Sequence, residues 1–403
     1  MAGPLDGIRV ADFTWVWAGP TCTMQLAHMG AEVIRMETTK RICTLRMLPP
    51  WPGGQPGPNR SGYFNQYNQG KRAVLLDLSQ PEGVAIARRL VEMSDVAVEN
   101  FAAGVIDKLG LGYEELRKLN EDLIMMSMSG YGATGPEKAY VSYGPAQVPM
   151  SGLSSLTGYK GWGPMHVGMS YGDPTAGLHA AFAVIAALFY RDRTGKGQYI
   201  DMSQWECSMA VIGEAFMQQV MNGAPPERDG NRDPHMAPHG VYLCAGEDRW
   251  VAIAVRNDDE FRSLCGVMGR GELADDARFR TLAGRKANED DLDTEIVSWT
   301  VTQDPFEATE RLQAAGIACS PPLLNREVLE SEHIATRNFW VEKEHLEVGV
   351  RRHAGIPWHF SETPLEVKRA APVMGQDNEY VFGELLGMSS AEIADLTERG
   401  VLR

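Results

Sequence analysis

Ile8-Arg-Val-Ala-Asp-Phe13, Thr14-Trp-Val-Trp-Ala-Gly-Pro20, a helical pattern from Thr21 to Met29, Gly30, and Ala31-Glu-Val-Ile-Arg-Met36 decide the fold. The outer runs read as short strands, and Gly30 fits the stop of the helix between them. Together they form a βαβ unit. Its loop lacks the Gly-x-Gly-x-x-Gly of dinucleotide sites, so nicotinamide or flavin binding gains no support. Pro20 opening a helix leaves backbone N–H groups facing the loop, which suits a phosphate or other anion. An ordinary strand-to-helix turn explains the same residues.

The pattern repeats outward. Residues 39–61 are rich in Pro, Gly and Arg without a period and read as a surface loop or lid. Asn68-Gln-Gly-Lys-Arg72 leads into a strand at 73–77, and Ser79-Gln-Pro-Glu82 predicts a capping box on a helix to Met93. Val96-Ala-Val98, ending in Glu99-Asn100-Phe101, and Leu123-Ile-Met-Met-Ser127, ending in Ser129-Gly-Tyr-Gly132, are two further strands. Strands alternating with helices predict an α/β fold with a doubly wound parallel sheet, whose ligands bind beyond the strands' carboxyl ends. Lys71 and Arg72 fit a solvated pair or phosphate contacts.

Gly168-Met-Ser-Tyr-Gly-Asp-Pro-Thr-Ala-Gly-Leu-His-Ala-Ala-Phe-Ala-Val-Ile-Ala-Ala-Leu188 joins a glycine-bracketed loop to an apolar helix. Asp173 is the candidate catalytic residue. Asp is also a favoured N-cap and Pro suits the first helical position, so a capping role stands beside catalysis. The segment from Pro174 to Tyr190 carries no Asp, Glu, Lys or Arg and falls short of the roughly twenty residues that span a bilayer, which predicts a buried helix. A turn at 191–198, a strand at 199–202 and a long apolar helix to about Met221 follow.

Composition shifts at Asn222-Gly-Ala-Pro-Pro-Glu-Arg-Asp-Gly230, a linker into a second domain. That domain opens with Asn231-Arg-Asp-Pro-His-Met-Ala-Pro-His-Gly240, then a hairpin from 241 to 255 and charged helices to about Ala315. His235 and His239 are spaced i, i+4, but the prolines around them forbid a regular helix, so no metal site is expected. From Ile334 the chain reads as irregular, ending in a capped helix at Ser389-Ser-Ala-Glu392.

The 403 residues include 53 acidic and 38 basic ones, for a net charge of −15. Nucleic acid and anionic membranes are not the partners such a charge attracts. Six scattered cysteines without a Cys-x-x-Cys pair, and no visible signal peptide, predict reduced thiols and a cytoplasmic location.

Pro4-Leu-Asp-Gly-Ile-Arg-Val, Gly19-Pro20, Gly30-Ala-Glu-Val-Ile, Gly70-Lys-Arg, Leu76-Asp-Leu, Glu99-Asn-Phe, Leu109-Gly-Leu-Gly-Tyr113, Ser129-Gly-Tyr-Gly and Arg193-Thr-Gly-Lys-Gly-Gln198 together resemble the class III CoA-transferases, the CaiB/BaiF family. The similarity runs over essentially the whole chain. It implies a Rossmann-like large domain built from both chain ends (1–222 with 335–403), an inserted smaller α+β domain (223–334), and an interlocked dimer, as a homodimer or a heteromer with a homologous subunit. It implies Asp173 as the nucleophile and no tightly bound cofactor, with coenzyme A entering as acyl-CoA substrate and leaving as product, and a carboxylic acid as acceptor.

By resemblance, coenzyme A lies along Val16, Trp17 and Ala18, Asn68 and Lys71, Asn100 and Phe101, and Lys108, where relatives more often have arginine. The arginine that some relatives place after the second strand's glutamate is absent, since Glu37 is followed by Thr38. That contact falls to Lys40 or Arg41. The Trp15 to Pro20 loop with Gln25-Leu-Ala-His28, and Met236-Ala-Pro-His-Gly-Val-Tyr242, look most like the succinyl-CoA:benzylsuccinate branch of anaerobic aromatic degradation. Trp15, Arg232, His235 and His239 are the substrate candidates there. The same fold hosts 2-methylacyl-CoA racemases, but Ser142-Tyr-Gly144 stands where they carry a Gly-His-Asp base. A non-catalytic subunit of a heteromeric transferase is the other alternative, and Asp173 argues against it.

Overall fold

Successive side chains of a strand point to opposite faces, so a sheet covered on both sides needs apolar residues at every position. The computed structural model, which describes residues 3–168 and 170–403, realises this in a six-stranded sheet. Its strands are β1 (Arg9–Asp12), β2 (Glu32–Glu37), β3 (Arg72–Leu75), β4 (Val96–Glu99), β5 (Ile124–Ser129) and β6 (Gln198–Ser203). All pairs are parallel, in the order β3-β2-β1-β4-β5-β6. The order reverses between β1 and β4, and it is outside the carboxyl ends at such a switch point that open α/β sheets bind ligands.

On one face Val10, Val33, Val96, Val98 and Met126 pack under α1 (Ala18–His28) through Cys22 and Leu26, and under a long helix through Ala180 and Val184. On the other, Ala11, Ile34, Val74, Ala97 and Met125 meet α3 (Pro81–Glu92) through Ile86 and Leu90. The short α2 (Gly62–Tyr67) precedes β3, capped by Ser61 Oγ at the Phe64 N–H. α3 starts one residue after Gln80 without a side-chain cap. The capping box expected at Ser79 does not form, because Asp77 takes both the Ser79 hydroxyl and its N–H.

The returning C-terminal segment closes the second face with Val381, Phe382 and Leu396. It also covers the outer edge of β3. Asp377 Oδ2 accepts the Ala73 N–H, Asn378 Oδ1 the Leu75 N–H, and the Val401 carbonyl the Asp77 N–H.

The loop at 39–61 is anchored rather than free. Arg46, fully buried, grips Glu37 with Nε and Nη2 at 2.6 and 2.8 Å and reaches the Pro372 carbonyl at 3.1 Å. The segment expected to run as one helix to Met221 is broken into Gln204–Ala210 and Gly213–Asn222.

The chain divides into two compact units. The first holds residues 1–156, 164–226 and 336–403, and the second 157–163 and 227–335. The second is α+β, with antiparallel β7 (His239–Leu243), β8 (Trp250–Ala254) and β9 (Ala318–Ser320) against helices that bury Phe261, Leu264, Ile296 and Leu312. Within the first, β10 (Trp340–His345) and β11 (Gly349–Ala354) form a hairpin in a stretch whose sequence reads as irregular.

Candidate active site

A cavity of about 770 Å³ opens in the first unit at the switch point. Phe13, Trp15 and Val16 follow β1, Asn100 and Phe101 follow β4, and Gly130 follows β5. The opposite wall comes from α4 (Gly144–Met150) and α5 (Gly172–Thr194), with Gln147 and Asp173.

Asp173 lies in the first turn of α5, not at its cap. The N-cap is Tyr171, and no side chain caps the helix. The Asp173 carboxylate instead accepts the Ser170 hydroxyl at 2.6 Å, its one hydrogen-bond partner among the described residues. Burial pushes its carboxyl up to about 6, and the Ser170 bond offsets only part of that. Gly144 is required beside it, since a methyl there would stand 2.1 Å from Asp173 Oδ2.

α5 is longer and less buried than its sequence predicts. Its 23 residues are long and apolar enough to cross a bilayer by length and composition, and half of the apolar stretch is buried. That half packs on α1, where a Cβ on Gly177 would be 2.6 Å from the Ala18 carbonyl. The other half leaves Phe182 and Phe189 74% and 64% exposed.

The expected coenzyme A contacts separate into two groups. Val16, Asn100 and Phe101 line the cavity, as do Trp15 and the Lys40–Arg41 pair, with the Arg41 guanidinium 5.2 Å from the Trp15 ring centre. Trp17 and Ala18 are buried and are not among the lining residues. Trp17 packs against Tyr63 and Tyr67 at 5.3 and 5.1 Å, and Ala18 begins α1.

Lys71 and Asn68 are fully buried and do not line the cavity. Lys71 Nζ sits 3.2 Å from Asp12, 2.9 Å from Asn68 Oδ1 and 3.1 Å from the Pro20 carbonyl. Its three N–H groups are matched by these three protein oxygens. Lys108 is exposed on a short helix and is not among the lining residues.

The Asp12–Lys71 pair belongs to a charge network that no short motif reveals. Thr14 donates its N–H and hydroxyl to Asp12, and Thr23 donates its hydroxyl. Buried Arg35 reaches Glu37 at 3.2 Å, and Glu37 holds Arg46. Burial raises the Glu37 carboxyl, but Arg46 and Arg35 outweigh it and bring it down to about 2. The network fixes the loops on both sides of β1's carboxyl end.

Arg232, His235 and His239 lie in the second unit. The Arg232 guanidinium is engaged by Asp290 and Asp293. His235 is exposed, and His239 sets Nδ1 against the Asn231 carbonyl in a shallow groove of that unit.

The profile of CoA-transferase family III matches residues 5–378. The chain belongs to that family. The transferase is 35% identical to succinate–glutarate CoA-transferase of Agrobacterium fabrum, over 95% of this chain and 96% of that one. It is 32% identical to succinyl-CoA–D-citramalate CoA-transferase of Chloroflexus aurantiacus, over 99% and 98%. A CaiB/BaiF family protein from Brucella suis superposes with a TM-score of 0.89 at 31% identity, over 96% of the transferase and all of that chain. The transferase is thus an enzyme whose substrates are CoA thioesters.

Proposed function

We propose that the transferase moves CoA from succinyl-CoA to a short dicarboxylic acid, with Asp173 as covalent nucleophile. The observation that carries this reading is a buried carboxylate in the cavity with a hydroxyl and, among the described residues, no cation as its partner. Such a group is ionised above about pH 6 yet poorly solvated, which favours attack.

Asp173 adds to the thioester carbonyl, the C–S bond breaks, and CoA leaves as thiolate from a mixed anhydride. The thiolate then attacks the aspartyl carbonyl, expelling succinate and leaving an aspartyl-CoA thioester. The acceptor carboxylate runs the two steps in reverse and restores the aspartate. Each tetrahedral oxyanion needs hydrogen-bond donors, and losing one typically costs about 3 kcal/mol.

A dicarboxylate acceptor is supported by the names of similar proteins, which specify glutarate and D-citramalate. The apolar wall of Phe13, Trp15 and Tyr140 suits a substituted succinate, of which benzylsuccinate is the instance its sequence suggests. The racemase reading calls for a histidine beside an acidic partner, and among the described residues lining the cavity there is no histidine.

The working form is a pair of interlocked chains, identical or homologous. In support, α5 and the helix Gly213–Asn222 leave the large apolar side chains Phe182, Phe189, Val220 and Met221 exposed, of the kind a partner chain would cover. The experiment is to incubate the purified chain with succinyl-CoA and a panel of dicarboxylic acids, digest it, and weigh the Asp173 peptide. A mass increase of one CoA less one water, the signature of the aspartyl thioester, is expected; acid-dependent transfer without any such adduct would remove Asp173 from the role.

A further inference from the structure

Val16 stands in the left-handed region at φ 59°, where a β-branched side chain crowds its own backbone. Its neighbours hold it there. Asn100 accepts the Trp15 N–H on Oδ1 at 2.7 Å and donates from Nδ2 to the Trp15 carbonyl at 2.9 Å. The Val16 N–H points at Cys43 Sγ at 3.3 Å. Gly19 makes room for the arrangement, since a methyl there would lie 3.0 Å from Asn100 Cγ and 2.4 Å from Thr14 Cβ. Trp15, Val16 and Asn100 all line the cavity that holds Asp173.

We propose that Asn100 is a positioning residue, whose amide clamps both sides of Trp15 and thereby keeps Val16 left-handed, presetting this wall of the cavity for coenzyme A. The inference rests on the cavity being the coenzyme A site. It gives the Asn100 side chain a task other than touching the ligand, because one donor and one acceptor of the amide are already spent on backbone. Released from the clamp, Val16 relaxes to negative φ, and the competent loop becomes a minor conformer. Apparent affinity then falls by the fraction that remains competent.

The test is calorimetric titration of the full chain with coenzyme A itself. Asn100→Ala is expected to weaken binding by roughly 5- to 100-fold, the range set by the strain of such a backbone position. Val16→Gly added to that variant recovers most of the loss, because glycine adopts positive φ freely, whereas Val16→Ala recovers little. A merely structural role for Asn100 would not distinguish glycine from alanine.

Thermal unfolding checks that each variant is folded. Should Asn100→Ala not fold, Asn100→Asp keeps the acceptor, loses the donor, and carries the same two second-site changes. Equal recovery by Ala and Gly, or an Asn100→Ala affinity within about twofold of the parent, would overturn the clamp. Failure of the unaltered chain to bind coenzyme A would instead sink the assignment of the cavity, and the inference with it.

Discussion

Asp12 and Asp173 are both carboxylates buried in the first unit, and their surroundings tune them in opposite directions. At Asp12 burial raises the carboxyl, but Lys71, Arg35 and the Thr14 bonds outweigh it, and the group sits below the ordinary range. At Asp173 burial meets only a serine hydroxyl, and the carboxyl rises to about 6. Desolvation is common to both, so the difference lies in the cation. A carboxylate with an ammonium at 3.2 Å has its charge committed and serves as a post for the loops around it. One without a cation keeps its lone pairs available for attack.

The strongest way to break this contrast is Asp173→Asn. Transfer from succinyl-CoA should drop by roughly 10³-fold or more while circular dichroism stays unchanged. Turnover near the parent value would erase the distinction between the two aspartates.

Next comes Lys71→Met, which leaves Asp12 buried without its nearest cation. Urea unfolding at pH 7 should show a loss of about 3–5 kcal/mol; a loss below about 1 kcal/mol would mean the pair is dispensable.

A smaller effect has the opposite sign. Because the folded Asp173 carboxyl is raised above its ordinary 3.8, keeping it ionised at neutral pH costs stability. Asp173→Asn should therefore be more stable than the parent at pH 7, by on the order of 2 kcal/mol. The gap should close as pH falls from about 6 toward 3.8, where the parent regains its proton. Urea midpoints across that window check it.

The smallest prediction concerns Ser170→Ala. The parent should lose activity as pH falls through about 6. Without the serine bond to the charged form, that acid limb should move up by about one unit. A pH–rate profile with an unmoved limb would show that the hydroxyl does not tune the carboxylate.

Much of the scaffold was legible because parallel strands buried on both faces write continuous apolar runs. Val96-Ala-Val98 and Ile124–Met126 are such runs, and Gly30 and Pro20 punctuate the first βαβ unit. Asp173 stood out through the Gly-Asp-Pro junction before an apolar helix, but its partner Ser170 did not, since a single serine three residues earlier carries no periodic signal. Lys71 read as a ligand contact because nothing near it in sequence discloses Asp12, which arrives from another strand. Arg35, Glu37 and Arg46 were hidden for the same reason, as charges usually signal solvent and nothing local in the sequence shows two arginines converging on one glutamate. The β10–β11 hairpin escaped because its strands alternate Glu, Lys and Arg on largely exposed faces, which resembles a coil by composition.

The cover on β3 has a consequence for synthesis. Its outward amides find their acceptors on Asp377 and Asn378, and the Asp77 N–H just beyond it finds the Val401 carbonyl, all some three hundred residues later in the chain. Until that stretch leaves the ribosome, the sheet ends in a row of naked donors, a ready template for a neighbouring nascent chain. A version clipped before Asp377 should emerge as an aggregate even though every strand of the sheet is present in it.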